Sequence, residues 1–157
     1  MIKETTVDHK EKLLSIIGAS GQFDEGGLAH VRQTLEDYFE DPGSAMWFTA
    51  YEEEPIGVAY CVPEPVCVGT WNLLMLWVED GQEGKGHGSA LISRIERELT
   101  EMGARLLIVE TSGTDEFQFA RAFYEKRGFE LEARIKEFFD EGDDKLVYTK
   151  KIGGARS

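Results

Sequence analysis

Apolar side chains in the first forty residues recur with the 3.6-residue period of amphipathic helices. The apolar pairs Leu13-Leu14 and Ile16-Ile17 predict one helix, with Asp8 as its N-cap. A second apolar face begins at Leu28, and the turn residues 41–43 end that helix. The predicted elements are, in order, a short strand at 2–6, a helix at 7–17, a loop at 18–27 and a helix at 28–39.

After residue 44 the pattern changes to runs of aromatic and β-branched side chains, which are typical of strands. The acidic residues 52–54 and Pro55 separate the first two runs, so these runs predict a hairpin. Helical spacing returns after a glycine-rich stretch and again before Gly128. The predicted elements are strands at 45–51, 56–62 and 66–78, a helix at 90–102, a strand at 105–111, a helix at 115–127 and strands at 129–139 and 145–152.

This order predicts an α+β fold with a mixed sheet, in a single domain spanning residues 1–157. The segment 66–111 is a strand–helix–strand unit, whose two strands should be parallel with a right-handed crossover. Four apolar residues in a row, 106–109, predict a strand that is buried on both faces. The last residues, 153–157, are expected to fray.

Charge narrows the classes of partner. The chain of 157 residues carries 17 basic and 30 acidic side chains, so its formal net charge is −13. Nucleic-acid-binding surfaces are usually basic, and this balance therefore argues against nucleic acid as a partner. An acidic surface suits a cationic partner such as an amine, although acidity that serves only solubility explains the same charge.

Other features of the sequence argue against a membrane-spanning protein and against a metal site. No apolar run approaches the roughly 20 residues of a membrane helix, and the first residues lack the layout of a signal peptide, so the cytoplasm is the expected compartment. Cys61 and Cys67 fit a reducing compartment and are interpreted as small buried hydrophobic residues. His9, His30 and His87 are scattered without metal-ligand spacing, so no metal is predicted.

Three alternating glycines, Gly84, Gly86 and Gly88, lie between a predicted strand and a predicted helix. Without a Cβ the backbone can turn sharply and expose successive N–H groups, and a helix start adds unpaired N–H groups. Lys85 and His87 can add positive charge, so the segment predicts an anion site suited to phosphate. The spacing matches neither the Walker A motif nor the dinucleotide-binding fingerprint, and a glycine-rich turn without a ligand is the alternative.

Residues 78–91 resemble the acyl-CoA pyrophosphate loop of the GNAT acyltransferase superfamily, whose pattern is Gln/Arg-x-x-Gly-x-Gly/Ala at a strand–helix junction. Here the loop is Glu-Gly-Lys-Gly-His-Gly, with Glu83 where the family has Gln or Arg. Residues 120–129 resemble the Ala-x-x-Phe-Tyr-x-x-x-Gly-Phe signature of the family's fourth helix, with Phe117 where asparagine is frequent. Residues 134–151 resemble its closing hairpin.

The resemblance implies a mixed central sheet of six to seven strands with about four helices, splayed between the fourth and fifth strands. It implies acetyl-CoA as co-substrate, no metal, and direct acetyl transfer to an amine of a small molecule or protein. By position in the family, the acetyl-CoA contacts are Leu76, Trp77, Val78, Gly84, Lys85, Gly86, His87, Gly88, Ser89 and Tyr124.

Acid and base roles follow from the chemistry of amine acetylation. Tyr124 matches the family tyrosine and is the candidate general acid for the CoA thiolate, because a free phenol with a pKa of about 10 is protonated at neutral pH. The same helix position also suits a core tyrosine. The candidate base is Glu64, with Glu79, Asp80 and Glu110 as alternatives, and a water relay can replace a single base.

Three functions fit these motifs. The first is an N-acetyltransferase, and the second is a non-catalytic acyl-CoA sensor or interaction module, which Glu83 and Phe117 motivate. The third is a nucleotide-phosphate site unrelated to CoA. The resemblance also makes a homodimer an expectation, with Trp47, Trp71 and the pair 138–139 as candidate exposed aromatic residues.

Overall fold

The computed structural model describes residues 1–153, so the expectation of fraying at 154–157 lies outside the described residues. The elements follow the predicted order. The strands are β1 (Ile2–Glu4), β2 (Met46–Glu52), β3 (Glu54–Pro63), β4 (Thr70–Val78), β5 (Leu106–Ser112), β6 (Glu130–Asp140) and β7 (Asp143–Lys151). The helices are α1 (Lys10–Ala19), α2 (Glu25–Glu40), α3 (His87–Glu101) and α4 (Gln118–Lys126).

All seven strands belong to one mixed sheet, in the order β1-β2-β3-β4-β5-β7-β6. β4 and β5 pair in parallel, as the strand–helix–strand unit predicts, whereas β1 with β2, β2 with β3, β5 with β7 and β6 with β7 pair antiparallel. The predicted α+β fold with a mixed sheet and four helices is therefore confirmed.

The pairing of β4 with β5 covers only the first half of β4. It runs from Thr70↔Leu106 to Leu73↔Val109, although β4 continues to Val78. The far end of β4 stays on β3, because the N–H of Glu79 donates to the carbonyl of Ile56 at 2.8 Å. The ladder that joins β4 to β5 therefore ends at Leu73.

The burial pattern of β4 changes phase at the same place. Thr70 and Asn72 are buried and lie two residues apart, as on one face of a strand, but the next buried residues are Leu73 and Met75. Because side chains of a strand alternate between faces, this change moves the buried set from one face to the other.

The chain forms two compact units, which are described separately. The first comprises Met1–Val62 and Leu74–Glu98, and the second comprises Pro63–Leu73 and the chain from Leu99. In the first unit the apolar faces of α1 and α2 pack around Trp47, which is fully buried and stacks on Tyr60 with ring centroids 4.2 Å apart.

In the second unit α4 packs on β7. The ring of Tyr124 lies 5.6 Å from that of Phe129 and 6.5 Å from that of Tyr148, centroid to centroid. Leu107 and Val109 of β5 are buried, whereas the two apolar residues that alternate with them are only partly buried. The expectation that β5 is buried on both faces is therefore wrong, because its second face is only partly covered.

The start of α1 also differs from the prediction. Residues 7–9 form a 3₁₀ turn, and α1 begins at Lys10 with His9 at the N-cap position rather than Asp8. The N–H of Thr6 donates to Nδ1 of His9 at 3.2 Å, and this contact closes the turn that precedes the helix.

Two further expectations about burial are wrong. Trp47 is not an exposed aromatic residue, because the α1–α2 core encloses it. Cys67 is exposed in the β3–β4 loop, whereas Cys61 is buried, and burial raises the pKa of the Cys61 thiol to about 12. On α4, Phe119 is 91% exposed, whereas Tyr124 is buried.

Candidate active site

The glycine-rich loop supplies backbone geometry that other residues adopt with difficulty. Gly81, Gly84 and Gly86 have φ angles of +87°, +76° and +89°, in the left-handed region that favours glycine. A Cβ added at any of the three would meet nothing within 4 Å. These glycines are therefore required by the backbone turn rather than by crowding, and the space above them is open to a ligand.

The loop leads directly into α3. The first bond of this helix runs from the N–H of Ala90 to the carbonyl of Gly86 at 2.9 Å. The N–H groups of His87, Gly88 and Ser89 therefore precede the helical ladder, and the helix dipole adds partial positive charge there. This combination suits a phosphate group, as the sequence predicts.

Two charged side chains of the loop are bonded within it. Glu83 accepts a hydrogen bond from the N–H of Gly81 at 2.9 Å, and Lys85 donates from Nζ to Oε1 of Gln82 at 3.2 Å. Both residues are exposed. The carboxylate that departs from the family pattern is thus held against the start of its own loop.

His87 and Trp77 each carry a buried nitrogen whose hydrogen bonds are not made within residues 1–153, Nε2 of His87 and Nε1 of Trp77. Buried polar atoms are normally paired, so such atoms indicate positions that a bound ligand can satisfy. Leu76 and Val78, the other β4 residues of the predicted site, are partly buried.

Tyr124 lies in the second unit, on the inner face of α4, and is 7% exposed. Phe123 and Phe129 pack edge-on against its ring at 5.5 and 5.6 Å. Burial raises the pKa of the Tyr124 phenol far above its usual value. The phenol therefore stays protonated throughout the neutral range, as a proton donor requires.

Glu64 directly follows β3, is half-buried and is joined to β4. Its Oε1 accepts a hydrogen bond from Nδ2 of Asn72 at 3.0 Å, and its N–H donates to the carbonyl of Thr70 at 2.9 Å. Sequence reasoning missed Asn72 because a lone polar residue in a strand carries no motif.

The alternative bases have other partners or are open to solvent. Glu79 is hydrogen-bonded to Nζ of Lys12, and Glu110 forms an ion pair with Nζ of Lys145 at 3.0 Å. Asp80 is exposed. Among the three carboxylates that have a side-chain partner, Glu79 and Glu110 are bonded to an ammonium group, whereas Glu64 is bonded to a neutral amide.

A second residue that the sequence did not single out is Arg121 of α4. Its Nη1 donates to the carbonyls of Ser112 and Thr114 at 2.8 and 2.7 Å, which fixes the turn between β5 and α4. This turn precedes the position where Phe117 replaces the family asparagine.

The comparison with known families decides the class of protein. The profile of the Acetyltransferase (GNAT) family matches residues 15–129, which is more than half of the chain. The chain belongs to the acetyltransferase (GNAT) family. It is accordingly an N-acetyltransferase, as the glycine loop and the α4 signature predict.

Solved structures agree with this family. A GNAT-family protein from Desulfovibrio desulfuricans is 25% identical, with a TM-score of 0.87 over 96% of this chain and 98% of the other. An aminoglycoside 6'-N-acetyltransferase complexed with coenzyme A is 16% identical, with a TM-score of 0.79 over 96% of both chains. A ribosomal-protein-alanine N-acetyltransferase from Brucella melitensis is 21% identical, with a TM-score of 0.79 over 97% and 99%. None of the curated proteins matches the chain.

Two further structural findings concern metal binding and membrane-spanning helices. Within residues 1–153 no group of His, Cys, Asp and Glu side chains is arranged to hold a metal ion. Within the same part of this GNAT chain, no helix is both long enough and apolar enough to cross a membrane.

Proposed function

We propose that this GNAT chain transfers the acetyl group of acetyl-CoA directly to an amine of a small molecule or protein. The observation that carries the proposal is the glycine loop at the start of α3, with left-handed Gly84 and Gly86, open space above both, and helix N–H groups that precede the helical ladder. The loop would hold the pyrophosphate through the backbone of residues 84–89, with Lys85 and His87 at its edge. Nε2 of His87 and Nε1 of Trp77 are the buried atoms that binding would satisfy.

The reaction needs three contributions from the protein. The neutral amine attacks the thioester carbon, the C–S bond breaks, the nitrogen loses a proton and the departing sulfur gains one. Glu64 receives the amine proton, and Tyr124 donates to the thiolate. A backbone N–H among Leu76, Trp77 and Val78 stabilises the negative charge that develops on the thioester oxygen.

The acceptor is proposed to be cationic in its resting form. The net charge of −13 and the acidic hairpin tip at residues 52–54 favour approach of an ammonium group, which is deprotonated before it attacks. Two of the structural neighbours are named for their acceptors, an aminoglycoside and a ribosomal-protein alanine, and both classes present amines. These serve as the first members of a substrate panel.

The proposal extends to the domain organisation, the compartment and the oligomeric state of the chain. Residues 1–157 form one acetyltransferase domain, which is supported by a family match that crosses from the first compact unit into the second. The free thiols of Cys61 and Cys67 support a reducing compartment such as the cytoplasm. A homodimer is supported by the edge strand β6, in which every residue is exposed, including Phe138 and Phe139.

A non-catalytic acyl-CoA sensor is the second candidate, because Glu83 places a carboxylate in the loop. Two measurements separate the candidates. Calorimetric titration with acetyl-CoA, and with ATP as control, tests the ligand. Release of free CoA in the presence of spermidine, kanamycin or an alanine-terminated peptide tests turnover.

Micromolar binding of acetyl-CoA with turnover of at least one amine supports the enzyme. Binding with no turnover on any amine supports the sensor. ATP binding as tight as acetyl-CoA binding contradicts both, because the loop would then recognise phosphate without the CoA moiety.

A further inference from the structure

Asn72 places a buried amide in the middle of β4. Its side chain is 4% exposed, and it lies in register with Ile108 of β5, one position before the ladder between the two strands ends. A buried amide lowers stability unless its polar atoms are hydrogen-bonded. An aliphatic side chain at this position would bring no polar atom of its own that needs a hydrogen bond.

The amide is only half satisfied. Nδ2 donates to Oε1 of Glu64 at 3.0 Å, whereas Oδ1 is buried and meets no partner in the described part of the chain. A half-paired buried polar group is less favourable than an apolar group of the same shape. The stability of the fold therefore does not explain why residue 72 is an asparagine. What an aliphatic residue could not provide is the hydrogen bond to the Glu64 carboxylate.

Glu64 is restrained from three directions. Its N–H is bonded to the carbonyl of Thr70 at 2.9 Å, its carboxylate is bonded to Asn72, and the following Pro65 restricts its backbone to extended conformations. Its one side-chain partner is a neutral donor, and no ion pair joins Glu64 to a cation within residues 1–153. The carboxylate is thus oriented without the neutralising charge that Glu79 and Glu110 receive from lysines.

We propose that Asn72 is a positioning residue, which orients the Glu64 carboxylate so that it accepts the proton of the acceptor amine. Asn72 does not itself touch the reacting atoms in this arrangement. The proposal rests on the proposed function, in which Glu64 is the base. Misplacement of a catalytic group by about 1 Å can lower a rate about 100-fold. Loss of the single hydrogen bond that orients the Glu64 carboxylate is therefore enough to lower turnover measurably.

The test is a double-mutant cycle on turnover and stability with Asn72→Leu, Glu64→Gln and the double variant. Thr70→Val is the matched control, since Thr70 is also buried on β4 and reaches Glu64 only through its backbone carbonyl. Turnover is followed as CoA release with acetyl-CoA and the amine of the panel that reacts fastest. Thermal unfolding of each variant reports stability, and Asn72→Ala repeats the cycle if Asn72→Leu does not fold.

We expect Asn72→Leu to lower kcat about 10-fold or more, with the KM for acetyl-CoA unchanged and the melting temperature unchanged or raised. In the Glu64→Gln background the same substitution should have no further effect on kcat, because Asn72 acts through the carboxylate. Thr70→Val should leave kcat unchanged.

Two results overturn the proposal while leaving Glu64 as the base: a kcat unaffected by both Asn72 variants, or losses from Asn72→Leu that are equal in the wild-type and Glu64→Gln backgrounds. A kcat unaffected by Glu64→Gln overturns the base assignment itself. Absence of turnover with every amine overturns the enzymatic proposal and, with it, the role of Asn72.

Discussion

The carboxylate of Glu83 accepts a hydrogen bond from the backbone N–H of Gly81 at 2.9 Å. The residue that departs from the GNAT loop pattern therefore points back along its own loop, and both partners are exposed to solvent. This contact holds the negative charge close to the segment that we propose binds pyrophosphate. Glu83 in place of the family's Gln or Arg thus changes the charge of the loop and not its fold.

Replacing this charge should strengthen acetyl-CoA binding. Glu83→Gln retains an oxygen that can accept from Gly81 and removes a charge whose repulsion in water amounts to at most about 1 kcal/mol, so we expect the dissociation constant to fall about 2- to 5-fold. Calorimetric titration at low and high salt measures it. Glu101→Gln, an exposed residue at the opposite end of α3, changes the net charge equally and should leave affinity unchanged. Equal effects of the two variants would contradict a local role for Glu83.

The role of Gly86 can be tested against Gly103, a glycine with a similar backbone conformation elsewhere in the fold. Gly86 and Gly103 have φ angles of +89° and +76°, and a Cβ at either meets nothing within 4 Å. Alanine at each position should therefore cost about 1 kcal/mol of unfolding free energy through backbone strain alone. Only Gly86→Ala should also weaken acetyl-CoA binding, because Gly103 ends α3 rather than begins it. Intact binding by a folded Gly86→Ala protein would show that the loop does not need this geometry.

Two tyrosines of the second unit offer a matched pair. Tyr124 and Tyr148 are both buried, but the hydroxyl of Tyr148 donates to the Glu125 carboxylate at 3.0 Å. We expect Tyr124→Phe to lower kcat about 100-fold with little change in the KM for acetyl-CoA, because the thiolate loses its proton donor. Tyr148→Phe should instead lower the unfolding free energy by about 1 kcal/mol and leave kcat unchanged. If the two variants retain equal turnover, Tyr124 is a core residue and not the acid.

Stability should depend on pH through His9. Burial, with a further contribution from the Lys3 charge, lowers the pKa of His9 below 6.5. Its Nδ1 accepts from the N–H of Thr6, a bond that the neutral imidazole keeps. The folded state binds this proton less tightly than the unfolded chain, so the stabilisation is complete above about pH 6.5 and is lost as the pH falls through the lowered pKa.

Urea unfolding of the wild type and of His9→Gln at pH 7.5 and 5.5 measures this dependence. The wild type should lose more unfolding free energy between the two pH values than the variant, which has no imidazole to protonate. The same loss in both proteins would assign the pH dependence to other groups.

The order of strands and helices could be predicted from the sequence because local patterning determines it. The apolar faces of α1 and α2, the hairpin at residues 45–62 and the glycine that ends α4 are each encoded within a few residues. The phosphate-binding character of the loop is local in the same way, since left-handed glycines and a helix start follow from adjacent positions. These features needed no knowledge of distant contacts.

Burial could not be predicted so well, because it depends on what the rest of the chain covers. Trp47 and Cys67 lie in similar apolar runs, yet the α1–α2 core encloses the first and the β3–β4 loop exposes the second. Phe119 has the spacing of a core residue but faces solvent, since the neighbouring strand accepts the side of α4 that carries Tyr124.

The sequence by itself therefore determined the family, the order of the elements and the glycine loop. Only the tertiary structure distinguished among the carboxylates, because pairing is a contact between residues far apart in sequence: Lys145 reaches Glu110 and Lys12 reaches Glu79, while Glu64 meets the neutral amide of Asn72. Hydrogen bonds of this kind depend on distances of about 3 Å, which no spacing along the chain encodes.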